Sequence, residues 1–132
     1  MGTLKAQLKL DSTDFMSDPL NIDTGVVNIT FNGDEQAAGR YTCNNSAAEK
    51  LPVGEFDTAG DKKVYIYFKN VSTNAGENIN VKVNNSGAAG DTFLSLSISE
   101  FAFLPYAQQS FVWIQATSGS PVLEYGVFED GV

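Results

Sequence analysis

The stretch Lys63-Val64-Tyr65-Ile66-Tyr67-Phe68-Lys69 reads KVYIYFK. Val64, Ile66 and Phe68 fall on one side of an extended chain, Tyr65 and Tyr67 on the other. A helix would scatter these residues around its axis, whereas a strand sorts them into two faces. β-branched and aromatic residues also favour a pleated surface. Both faces are large, so the segment reads as a central strand covered on each side.

The same period of two continues in both directions. Upstream, Leu4, Ala6, Leu8 and Leu10 alternate with Lys5, Gln7 and Lys9. Asp11 to Asn21 reads as a loop. Val26 to Phe31 reads as a strand ended by the turn Asn32-Gly33-Asp34, and Gln36 to Cys43 as a weaker one. Asn44 to Gly60 is polar and punctuated by Pro52, Gly54 and Gly60. It reads as mobile, with one helical turn at Ala47 to Lys50. Downstream, Ile79, Val81 and Val83 alternate with Asn80 and Lys82, and Leu94, Leu96 and Ile98 with serines. Phe101 to Leu104 is a short apolar segment before Pro105. Phe111 to Thr117 sets Trp113 opposite Val112 and Ile114. In Val122 to Phe128, Leu123, Tyr125 and Val127 share a face.

No segment keeps a helical period. About eight strands with turns every 8–12 residues predict an all-β antiparallel sandwich, jelly-roll-like or immunoglobulin-like. The 132 residues make one domain, 1–132, since domains run to roughly 100–200 residues. The predicted core is Val64, Ile66, Phe68, Ile79, Val81, Leu94, Leu96, Val112, Ile114, Tyr125 and Val127.

Composition excludes whole classes of function. Lys and Arg number 8 against 16 Asp and Glu, a net charge of −8. Such a chain lacks the clustered cations that nucleic acid or an anionic membrane surface requires. There is no histidine and a single cysteine, Cys43. Ser-His and Cys-His dyads, intrachain disulfides and thiolate clusters are therefore impossible. Cys43 reads as a small buried or half-buried thiol without an activator. Ser95, Ser97 and Ser99 lie outside any G-x-S-x-G elbow. Glu55, Asp57 and Asp61, like Asp34-Glu35, lack the ligand ladder of a calcium loop and read as solvated turn carboxylates. The reading is of no enzyme, no cofactor and no metal.

Residues 1–10 alternate instead of forming an apolar run, so no signal peptide is read there. The sequons at Asn28, Asn44, Asn70 and Asn84 follow from a composition rich in Asn and Ser. Met1-Gly2 opens like a myristoylation site, but Ala6 stands where Ser or Thr is preferred.

The aromatics carry the interaction signal. One face of each sheet fills the core, which leaves Tyr65 and Tyr67, and Trp113, on faces that something else must cover. A second subunit or a second internal layer would do so. Tyr65, Tyr67, Phe101, Phe103, Tyr106 and Trp113 are the candidate interface. A concave row of Trp113 with tyrosines and polar neighbours would instead suit a carbohydrate- or receptor-binding module.

The segments VYIYFKN, FLSLSISEFAFLP and VWIQATSGSPVLEYGVFED, with the opening LKAQLKLDSTD, resemble small β-structured virion proteins of tailed bacteriophages. The closest likeness is to those of phages that infect cyanobacteria. Ser99-Glu100 stands where such proteins would carry Pro-Gly before the apolar strand. The resemblance implies a passive structural role: a capsid decoration or cement protein, or a subunit of a fibre, horn or tail. It further implies other virion proteins as partners, assembly in the host cytoplasm and, for the homo-oligomer that the surplus apolar faces and the regular strand Leu4 to Leu10 predict, a trimer.

Overall fold

The computed structural model describes residues 2–13, 20–51, 64–84, 90–106 and 111–130. These residues form eleven strands and no helix. They are β1 (Gly2–Ala6), β2 (Lys9–Ser12), β3 (Leu20–Asp23), β4 (Val27–Thr42), β5 (Glu49–Lys50), β6 (Val64–Asn70), β7 (Ile79–Asn84), β8 (Thr92–Leu96), β9 (Phe101–Tyr106), β10 (Phe111–Ala116) and β11 (Val122–Asp130). A five-stranded sheet runs β1-β4-β11-β6-β9, and a four-stranded sheet β5-β10-β7-β8. β2 and β3 pair only with each other. Every pairing is antiparallel.

The KVYIYFK segment becomes β6, between β11 and β9. Its burial alternates as its sequence does, with Val64, Ile66 and Phe68 buried and Tyr65 and Tyr67 half-buried. The buried face joins Leu123 and Val127 of β11. It packs against Ile79, Val81, Leu96, Val112, Ile114 and Ala116 from the other sheet. The chain is thus a two-layer sandwich, as alternation requires when each sheet hides one face. Of the predicted core, Leu94 and Tyr125 lie at its margin, half-buried against it. Cys43, Leu51, Leu123 and Ala116 complete it.

Three departures from the sequence reading place the candidate site. Asn32-Gly33-Asp34 does not reverse the chain: β4 runs through it. Along β11, Phe128 pairs with Gln36 but Asp130 with Phe31, so residues 32–35 bulge opposite Glu129. Turn-forming residues are suited to a bulge as well as to a turn, since both need an irregular backbone. The bulge lets β4 change partners, from β1 along its first half to β11 along its second.

Next, the ends of the expected Asp11 to Asn21 loop are strand, because Asp11 pairs with Asn21 and Ser12 with Leu20. β1 and β2 on one side, and β3 and β4 on the other, form one long ribbon. Its joint is pinned by Thr24 N donating to Leu8 O (3.1 Å) and Leu8 N donating to Thr24 Oγ1 (3.0 Å). Gly25 takes a φ of 67° there, the left-handed region, and its N–H donates to Asp23 Oδ1. These added pairings, with β5 and β9, raise the strand number above the expected eight.

The third departure is at Ala47 to Lys50, which makes no helical turn. Glu49 and Lys50 pair with Ile114 and Trp113, and Leu51 N donates to Val112 O at 2.8 Å. The sheet edge offers backbone partners that an isolated turn would lack. Residues 52–60 of the expected mobile region, with Glu55 and Asp57, and Asp61 just after it, lie outside the described residues.

Ser99 has a φ of 66° in the bend before β9. Ser97 N donates to Glu100 Oε2 at 2.7 Å and Glu100 N to Ser97 O at 3.1 Å. Ser99-Glu100 therefore makes the bend without the Pro-Gly pair.

Asn70 is the one fully buried polar side chain among the described residues. Its Nδ2 donates to Leu96 O (3.0 Å) and Glu77 O (2.9 Å), and its Oδ1 accepts from Ser72 N (3.0 Å). The Asn70 sequon is thus a structural clamp with no free amide for a sugar.

Candidate functional site

The outer face of the five-stranded sheet is concave and apolar. Ladder partners share a face. Leu4 pairs with Ile29 and Ala6 with Val27; Phe128 pairs with Tyr65, Gly126 with Tyr67, and Tyr67 with Phe103. These rows, apart from Gly126, line a groove of about 810 Å³ together with Leu8, Phe101 and Pro105. That size is in the range of ligand clefts, roughly 300–1,000 Å³.

The walls of the groove are the two edge strands of the sheet. Five consecutive residues of the β1 side line it, Leu4 to Leu8, as do Phe101, Ala102, Phe103 and Pro105 of β9. Successive side chains of a strand point to opposite faces. Consecutive lining therefore means that each strand turns its open edge toward the groove. The sheet has curled until both edges border one trough. Ile29, on the ribbon itself, lines the groove, is buried and stands apart from the main core.

The groove gathers four of the candidate interface residues. Tyr65 stacks on Phe103 with ring centroids 5.9 Å apart and planes 7° from parallel. Phe101 and Phe103 remain 62% and 37% exposed. Tyr67 donates its hydroxyl to Glu124 Oε1 at 3.2 Å, while Arg40 Nη2 donates to Glu124 Oε2 at 3.3 Å. Burial, then the Glu124 carboxylate, pushes the Tyr67 phenol upward, so it stays a neutral donor at pH 7.

Trp113 does not belong to this group. Val112 and Ile114 point into the core, which sends Trp113 to the outer face of the other sheet. There it sits in register between Lys50 and Lys82, its Nε1 buried without a hydrogen-bond partner. The sequence could show that Tyr67 and Trp113 both point away from the core; it could not show that they leave by opposite sides. Tyr106 pairs with Val64 at the end of β9, and its side chain lies outside what is described.

Leu4, Ala6, Leu8, Val27, Ile29 and Phe128 are among the groove residues missed in the sequence. Their period-two placement was visible, but not that the ribbon folds over the tyrosine face. It is a second internal layer over part of that face, and it leaves the rest open.

Cys43 is buried, and desolvation pushes its thiol up to about 11, so it is protonated and unreactive at neutral pH. Near it the Tyr41 hydroxyl donates to Glu49, which also accepts from Asn44 Nδ2. Among the described residues no three His, Cys, Asp or Glu side chains gather as metal ligands.

Compared with known protein families and with curated proteins, the chain matches no family model and no curated sequence.

Proposed function

We propose that this chain is a structural assembly protein of a phage particle, a capsid decoration or cement protein or an appendage subunit, that works by attaching to other protein chains, its own copies included. The observation that carries the assembly reading is the apolar groove bordered by two strand edges that no other described strand pairs with. Open edges offer backbone donors and acceptors to an incoming strand, and the groove offers apolar surface beside them. The virion setting rests on the resemblance of the sequence segments. A particle supplies many sites, so each contact needs only modest affinity. A net charge of −8 suits an exterior surface better than one facing packaged DNA.

The groove favours protein over sugar as occupant. It lacks the tryptophan, and the Tyr67 hydroxyl and Arg40 are already engaged with Glu124. Phe101→Ser combined with Phe103→Ala tests the reading, because both side chains are exposed and their loss spares the core. The folded variant should enter particles several-fold less well than the wild type. Normal incorporation would refute the assignment of the groove. A wild-type chain that bound a defined glycan at micromolar affinity and was dispensable for particle integrity would replace it with receptor binding.

A further inference from the structure

The ribbon carries apolar side chains that its own domain leaves uncovered. Leu8 is 43% exposed, and Leu10 and its ladder partner Ile22 are each 44% exposed. β2 and β3 pair with no other described strand. A lone two-stranded hairpin is marginal in water, so this finger calls for a cover. The chain thus holds an apolar finger and, at the finger's root, an apolar groove.

The open edge of the ribbon can pair with itself. From Gly2 to Asp11 no described strand occupies it. Leu8 turns both its N–H and its C=O toward Thr24. Peptide groups alternate sides along a strand. Lys5, Gln7, Lys9 and Asp11 therefore turn theirs to the open edge. An antiparallel copy on a twofold axis at Leu8 sets Leu8 opposite Leu8, Ala6 opposite Leu10, Gln7 opposite Lys9 and Lys5 opposite Asp11. The last pairing occurs twice and joins opposite charges, neither of which has an ion-pair partner among the described residues. Leu10 of the copy then shares a face with Ala6, which lines the groove. Ile22 of the copy, beside its Leu10, falls over the same trough.

We propose that two copies of this chain pair antiparallel through the open edge of β1 and β2, on a twofold axis at Leu8, and that each finger covers the other's groove. The pairing deepens the assembly reading and rests on it: the unit that attaches is a dimer.

The full chain is tested by light scattering across a concentration series and by cross-linking. The expected mass is twice 14.2 kDa. Leu8→Cys, oxidised with diamide, should give a reducible dimer. Leu8 meets its copy in a non-hydrogen-bonded pair, where Cα atoms approach to about 4.5 Å, within the span of a disulfide. Wild-type Cys43 is buried and should give none. Lys5→Asp or Asp11→Lys alone replaces two exposed attractions by two repulsions and should weaken the dimer about tenfold. The double variant should restore it. A monomer throughout, a trimer, or a dimer that Leu8→Cys does not cross-link would each overturn the proposal. Particle incorporation is scored separately, so a monomer that still enters particles would remove the twofold and leave the assembly reading in place.

Discussion

Asn70→Ala would remove a side chain whose three hydrogen bonds tie β6 to the Val71–Asn78 loop and to the end of β8. Its Nδ2 satisfies Leu96 O in a fully buried bond and Glu77 O in a partly buried one, and its Oδ1 satisfies Ser72 N. Alanine leaves all three backbone groups without that partner. A buried unsatisfied group costs about 1–3 kcal/mol, which applies in full to Leu96 O. The other two can recruit water and should cost about 0.5–1.5 kcal/mol each. The expected loss is about 2–6 kcal/mol, read as a lower urea midpoint with an unchanged slope. Asn70→Asp supplies a sharper check. It keeps the shape but sets a carboxylate against two carbonyl oxygens. Burial raises the folded pKa of such a group, so the variant is most stable below the ordinary carboxylate range. It loses stability as pH rises through the folded value. Its deficit against the wild type should therefore grow from pH 4 to pH 7. A cost below about 1 kcal/mol for Asn70→Ala, or a deficit for Asn70→Asp that shrinks with rising pH, would refute the clamp.

Ile66→Ala empties the centre of the inner face of β6, where the side chain is 1% exposed. Chemical denaturation should show a loss of about 2–5 kcal/mol, and a loss below about 0.5 kcal/mol would remove Ile66 from the core. Alkaline pH should also destabilise the chain. The Cys43 thiol, ordinarily at 9.0, is raised to about 11, and the Tyr41 and Tyr67 phenols are raised above 10.0. Raised groups give their full stabilisation below the unfolded pKa and lose it as pH climbs to the folded one. The thermal midpoint should hold to about pH 8 and fall between about pH 9 and 11, and Cys43→Ala should flatten that fall.

Alternation made the sandwich legible. A residue whose neighbours on the strand are apolar at every second position has its face decided locally, and so Ile66 and Tyr67 could be assigned to opposite sides from the sequence alone. The same rule separated Val112 and Ile114 from Trp113. The absence of histidine left Cys43 without an activator; that it is fully buried came from the structure.

Local pattern does not say which strands become neighbours, and there the reading stopped. Asn32-Gly33-Asp34 carries turn chemistry, but β11 and β1 share β4 between them, and the same residues became a bulge. Asn70 looked like a sequon on a strand end; only the approach of Leu96 and Glu77 made it a clamp. Tyr67 and Trp113 both face outward from a strand. Which outward face each adorns depends on which sheet its strand joins, and that is set by long-range pairing. By itself the sequence determined most of the strands and their inner faces, and that a chain without histidine and with one cysteine forms neither a histidine dyad nor an intrachain disulfide. Tertiary structure alone decided that the ribbon folds over the tyrosine face and that both edge strands of the described sheet border one trough. The physical reason is that side-chain alternation is a property of a few consecutive residues, whereas a groove belongs to segments sixty or more residues apart, such as Leu4 and Phe103, brought together by a curled sheet.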